Sequence, residues 1–166
     1  MSSASRRSRL GLLRYRSAGY HRPEYGARTD EEEHALEDDV KVLLIEDDVD
    51  AAEMYRLRLA ADGYTVVTAN DGREGLRMAT DEAPDFIYLD LRLPGLDGFE
   101  VLEHLRADPE TATIPVIILT NFGEPELRER GLRLGALEFL VKADTTPGQL
   151  SESVGRATGP RPIPSV

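Results

Sequence analysis

The 166 residues contain no cysteine. Disulfides, zinc–thiolate sites and thiol catalysis are therefore excluded. No apolar run approaches the length of a membrane span, and no segment repeats. Positive charge is concentrated at one end. Residues 1–28 hold seven Arg and one Glu, a balance of +6, whereas residues 29–39 hold seven acids and no Lys or Arg, a balance of -7. Residues 40–166 then carry -10 of the net -11. An acidic folded part argues against direct nucleic-acid binding. What remains is sufficient for a core: 40% apolar residues over this length fit one ordinary domain with some tail.

Residues 1–39 stand apart from the rest. They are Ser- and Arg-rich, then acidic at Asp30-Glu31-Glu32-Glu33, with little apolar periodicity, and read as a disordered N-terminal extension. Leu10, Leu12 and Leu13 among arginines would suit a short amphipathic helix. The Arg- and Ser-rich start also superficially suits a transit peptide, and a start codon placed too far upstream gives the same pattern.

From Val40 the texture changes. Val42-Leu43-Leu44-Ile45 is a continuous apolar run that stops at Glu46-Asp47-Asp48. Ala51, Met54, Leu57 and Ala61 recur at helical spacing, and Asp62-Gly63 ends that helix. Tyr64–Ala69 is β-branched and strand-like. Asp71 is placed to cap a helix carrying Leu76 and Ala79. Phe86-Ile87-Tyr88-Leu89 is a second fully apolar run, ending at Asp90 and broken by Leu93-Pro94-Gly95. Asp97 precedes a helical stripe of Phe99, Leu102 and Leu105. The run Ile114–Leu119 is the next strand, closed by Thr120-Asn121-Phe122-Gly123. Leu127, Gly131 and Leu134 mark a helix, with Arg128, Arg130 and Arg133 near its C-terminal half. Phe139-Leu140-Val141 is a last strand before Lys142, and Leu150, Val154 and Ala157 mark a last helix with Pro147 in its first turn.

Five strands alternating with five helices predict an α/β domain: a doubly wound parallel sheet with right-handed crossovers. The carboxyl ends of the strands then share one edge, where open α/β sheets hold ligands. Strand one brings Glu46, Asp47 and Asp48 to that edge, strand three Asp90, strand four Thr120 and strand five Lys142. Each has a plainer role when taken alone. Asp48 suits a helix N-cap, Asp90 a turn, Thr120 a strand end and Lys142 a solvated surface. Their convergence from four strands is what the plain reading explains poorly. Clustered carboxylates repel unless a cation binds or some stay protonated. A few acid oxygens with room for water suit Mg²⁺ or Mn²⁺. A carboxylate can also attack a phosphoryl group to form an acyl phosphate.

With these stretches in place, residues 40 to about 157 resemble the receiver domain of bacterial two-component response regulators. The resemblance rests on Val42–Asp48, Asp90–Gly98, the Leu119-Thr120 strand end and Gly135–Lys142. It implies a flavodoxin-like (βα)5 fold of strand order 2-1-3-4-5 over residues 40–158, with 159–166 as a flexible tail. It implies that Asp90 accepts a phosphoryl group from a phosphohistidine of a sensor histidine kinase or a histidine phosphotransfer protein. Asp47, Asp90 and the backbone carbonyl of Arg92 would hold Mg²⁺ (or Mn²⁺), with Glu46 acting through water. Lys142 would pair with the phosphoryl group, Thr120 would swing toward it, and Phe139 would rotate inward. The surface of the fourth helix, fifth strand and fifth helix would then be read by an unknown downstream protein.

Asn121, Phe139 and Ala143 depart from the commonest family pattern of a small residue, tyrosine and proline. Arg92 and Phe122 lie two residues beyond Asp90 and Thr120, and their bulk is expected to shield an acyl phosphate. About ten residues follow the last helix, too few for a DNA-binding module. The expectation is a cytoplasmic single-domain regulator or phosphate relay, with no enzymatic activity beyond self-phosphorylation and autodephosphorylation of Asp90. The competing reading is an interaction module whose receiver fold is not phosphorylated. A metal-dependent phosphohydrolase would usually place an acid where Arg92 stands.

Overall fold

The computed structural model describes residues 39–159. The expectations for residues 1–38 and for 160–166 lie outside the described residues. Five strands form one parallel sheet: β1 (Lys41–Ile45), β2 (Thr65–Ala69), β3 (Phe86–Leu89), β4 (Val116–Thr120) and β5 (Glu138–Val141), in the order β2-β1-β3-β4-β5. Five helices connect and follow them: α1 (Val49–Ala61), α2 (Gly72–Asp81), α3 (Gly98–Ala107), α4 (Pro125–Arg133) and α5 (Pro147–Thr158). A short 3₁₀ turn over Lys142–Asp144 separates β5 from α5. This is the expected doubly wound, flavodoxin-like arrangement.

Strand alternation divides the core in two. Leu43, Ile45, Ile87, Leu89 and Ile118 face one side with Ala79, Phe99, Leu102 and Leu105. Val42, Leu44, Phe86, Tyr88, Ile117 and Leu119 face the other, against Ala52, Leu59, Leu150 and Val154. Runs such as Phe86–Leu89 are apolar at every position because both faces are covered. The buried Tyr88 hydroxyl donates to the Leu150 carbonyl and lies 2.6 Å from Ser153 Oγ, which ties α5 to the sheet and leaves no polar atom unpaired there.

Most helix starts are set by side chains, at Asp48, Asp71 and Asp97 as the sequence suggests. Asp48 accepts from the Ala51 N–H and Asp71 from the Glu74 N–H. Asp97 with Glu100, and Thr146 with Gln149, form reciprocal capping boxes. One helix face differs from expectation. In α1 the buried residues are Ala52 and Leu59, with Tyr55 packed beside them, while Met54 and Leu57 are each 54% exposed. The Ala51–Met54–Leu57–Ala61 stripe is not the core face. This helix has almost no contrast between its faces, so the tertiary packing of α1 against the sheet and α5 sets its rotation.

Candidate functional site

Register places the acids. Ile45 pairs with Leu89 across β1 and β3, so Glu46 and Asp90 leave the sheet side by side. The Asp90 N–H donates to the Ile45 carbonyl at 3.0 Å, fixing the backbone where the strand ends. Gly98 lets α3 begin directly against that turn: its N–H donates to the Leu91 carbonyl at 2.9 Å, and an added Cβ would lie 2.3 Å from the Asp90 carbonyl oxygen.

Glu46 and Asp90 are buried, at 1% and 5% exposure, and Asp47 is exposed. One carboxylate oxygen from each of the three lies within 4.8 Å of the others. Lys142, delivered by the end of β5, donates to Glu46 Oε2 and, at 3.3 Å, to Asp90 Oδ2. The remaining oxygens are also engaged. Glu46 Oε1 accepts the Asp48 N–H at 3.1 Å, and Asp90 Oδ1 accepts the Arg92 N–H at 3.4 Å. Loss of hydration pushes Glu46 up to about 7, with the Asp90 charge adding to the shift and the Lys142 hydrogen bond opposing it. Burial works against the Lys142 charge, but the Glu46 and Asp90 carboxylates outweigh it and its pKa is raised. The site is thus a carboxylate pair held around one ammonium, with a third acid at the rim. An all-oxygen donor set of this size, open to water on one side, fits a hard divalent cation.

The other residues singled out in the sequence fall around this centre. Arg92, Asn121 and Phe122 line the pocket above Asp90, together with Lys142 and Ala143. The Arg92 guanidinium stacks over the Phe122 ring, 4.1 Å from its centroid. Thr120 is fully buried at the end of β4; its Oγ1 accepts the Phe122 N–H at 3.4 Å, and no hydrogen bond joins it to Asp90. Phe139 is turned inward, beside Gly131 and Ile118. Arg128 donates to the Phe139 carbonyl at 2.9 Å and lies over its ring at 5.1 Å. Asp48 serves as the cap of α1 and also borders the pocket. Sequence reasoning missed Ala51 and Tyr55, which line the same pocket from α1. Their i, i+4 spacing was the available signal, but it points to the pocket only once the rotation of α1 is known.

The parallel sheet of order β2-β1-β3-β4-β5, with an acid cluster and a lysine at its carboxyl edge, defines a flavodoxin-like α/β domain with a charged site at that edge. Residues 42–154 match the model of the response regulator receiver domain. The chain belongs to that family. It is 40% identical over 107 residues to a probable transcriptional regulator, ycf27, of Guillardia theta, covering 64% of this chain and 41% of that protein. It is 42% identical over 101 residues to the response regulator PleD of Caulobacter vibrioides, covering 60% of this chain and 22% of the relative. The alignments thus span less than half the length of these curated relatives. Among solved structures, the chemotaxis protein CheY4 of Vibrio cholerae superposes with a TM-score of 0.67 at 33% identity, covering 72% of this chain and 98% of that one. A putative response regulator of Chloroflexus aurantiacus gives 0.68 at 32% identity, covering 72% and 98%. Among the described residues no helix is long and apolar enough to cross a membrane.

Proposed function

We propose that this chain is a two-component regulator that accepts a phosphoryl group on Asp90 from a phosphohistidine of a sensor kinase or phosphotransfer protein. The observation that carries this reading is Lys142, which bridges Glu46 and Asp90 while Asp47 completes an oxygen cluster at the open side. Asp47 and Asp90, with the Arg92 carbonyl, would hold Mg²⁺ or Mn²⁺, and Glu46 would act through water. Bound there, the cation supplies the charge that offsets repulsion between acids and phosphoryl oxygens.

The protein's own residues do the rest. Asp90 offers a carboxylate oxygen as nucleophile, fixed by the Arg92 N–H and Lys142. Lys142 exchanges part of its carboxylate pairing for a phosphoryl oxygen. Thr120 breaks its contact with the Phe122 N–H to donate to another. Phe139, inward and clamped by Arg128, links that movement to the surface of α4, β5 and α5 that a downstream protein reads. No separate substrate is turned over; Asp90 only gains and loses the group. The role is that of a response regulator or phosphate relay.

Incubation with Mg²⁺ and acetyl phosphate, read by intact mass, tests this. One added phosphoryl group, missing in Asp90→Ala, is expected. Absence of an adduct with every donor tried would leave an interaction module that is not phosphorylated.

A further inference from the structure

Tyr55 is an aromatic side chain at the acid pocket that no step above uses. It lies one turn beyond Ala51 on α1, and both line the pocket over Asp90. Its ring packs against the cluster that contains Val42, Leu44 and Tyr88. Its hydroxyl has no hydrogen-bond partner among the described residues. Burial pushes the phenol pKa up, so the group stays neutral beside the acids. Phe122 adds a second ring to the same pocket from the loop after β4, while Ala51 and Ala143 contribute only methyl groups.

In-line transfer puts the leaving group opposite the attacking oxygen. With Asp90 buried in the pocket, the leaving group points outward along walls that include the half-buried Tyr55 ring. A planar aromatic leaving group gains ring contact there, and a small acetate gains little. We infer that Tyr55 is a specificity-determining residue for the phosphoryl donor, its ring favouring an N-phosphorylated imidazole over a small acyl phosphate. This rests on Asp90 being the acceptor. In the transfer an Asp90 oxygen forms the new P–O bond while the P–N bond breaks. The electron pair stays on the ring nitrogen, and imidazole protonated on its other nitrogen leaves neutral.

The test uses the full chain with Mg²⁺. Rates of Asp90 phosphorylation by N-phosphoimidazole and by acetyl phosphate are followed in parallel by intact mass. In Tyr55→Leu the ratio of the imidazole to the acetyl rate falls roughly 2- to 12-fold, the range of one aromatic contact. Tyr55→Phe, which keeps the ring, restores the ratio. A loss common to both donors would mean a structural role and overturn the inference, as would an unchanged ratio in Tyr55→Leu. Failure of wild-type protein to form any Asp90 adduct is a different result, since it removes the acceptor reading as well.

Discussion

Glu46 is the residue at which burial and charge are most opposed. It is 1% exposed, bonded to Lys142 and beside Asp90, and its pKa is pushed from 4.5 up to about 7. Between those values the folded protein holds a proton that the unfolded chain releases. Stability of the metal-free protein therefore falls as pH rises through that window, and this contribution levels off above it. Urea unfolding in chelator at a series of pH values reads the slope, and Glu46→Gln flattens it; a slope unchanged by the substitution would contradict the assignment. Arg92 and Phe122 belong to a second residue-scale argument. Their 4.1 Å stack is expected to slow water reaching an acyl phosphate on Asp90. Decay of the phosphorylated protein should be about 2- to 5-fold faster in an Arg92→Ala, Phe122→Ala double mutant, the scale of one exposed cation–π contact. Decay at the wild-type rate would show that the pair is no shield.

At the scale of elements, the site depends on how closely α3 approaches the end of β3. A Cβ on Gly98 would lie 2.3 Å from the Asp90 carbonyl oxygen and 2.7 Å from Leu91 Cα, both backbone atoms that cannot swing aside. Gly98→Ala is expected to cost about 1–3 kcal/mol by overpacking and to slow phosphorylation of Asp90. Gly95 gives the contrast: it has φ +75 but nothing within 4 Å of an added Cβ. Gly95→Ala should cost roughly 1–2 kcal/mol through backbone strain alone and leave Asp90 in place. Denaturation midpoints and acetyl phosphate kinetics separate the two effects. The sheet edge itself was legible because buried parallel strands leave continuous apolar runs, and each run here ends in a polar residue. The rotation of α1 was not. Met54 and Leu57 suggested a core stripe, but the helix instead buries Ala52 and Leu59, and the pocket role of Tyr55 was hidden with them. Phe139, expected to turn inward on phosphorylation, is already inward and clamped by Arg128, through contacts with Ile118 and α4 that no local pattern shows.

For the whole molecule, the acids at one edge connect ligand binding to folding. The oxygen cluster of Glu46, Asp47 and Asp90 exists only when β1 and β3 are paired, so a divalent cation that it binds has little to hold in the unfolded chain. Such a ligand stabilises the native state by mass action, about 1.4 kcal/mol at ten times its dissociation constant. Residues 40–166 carry a charge of -10, so any salt also raises stability by screening repulsion. The comparison must therefore be made at constant ionic strength, with NaCl replacing MgCl₂. Under that condition the thermal midpoint is expected to rise by several degrees with Mg²⁺ and to stay fixed with NaCl. Asp47→Asn, a substitution at the exposed rim, should remove the Mg²⁺-specific part while leaving the salt response intact. Equal midpoints of wild-type protein in MgCl₂ and in NaCl at that ionic strength would mean that Mg²⁺ only screens the cluster without being coordinated, and the acceptor chemistry of Asp90 would then lack its counter-charge.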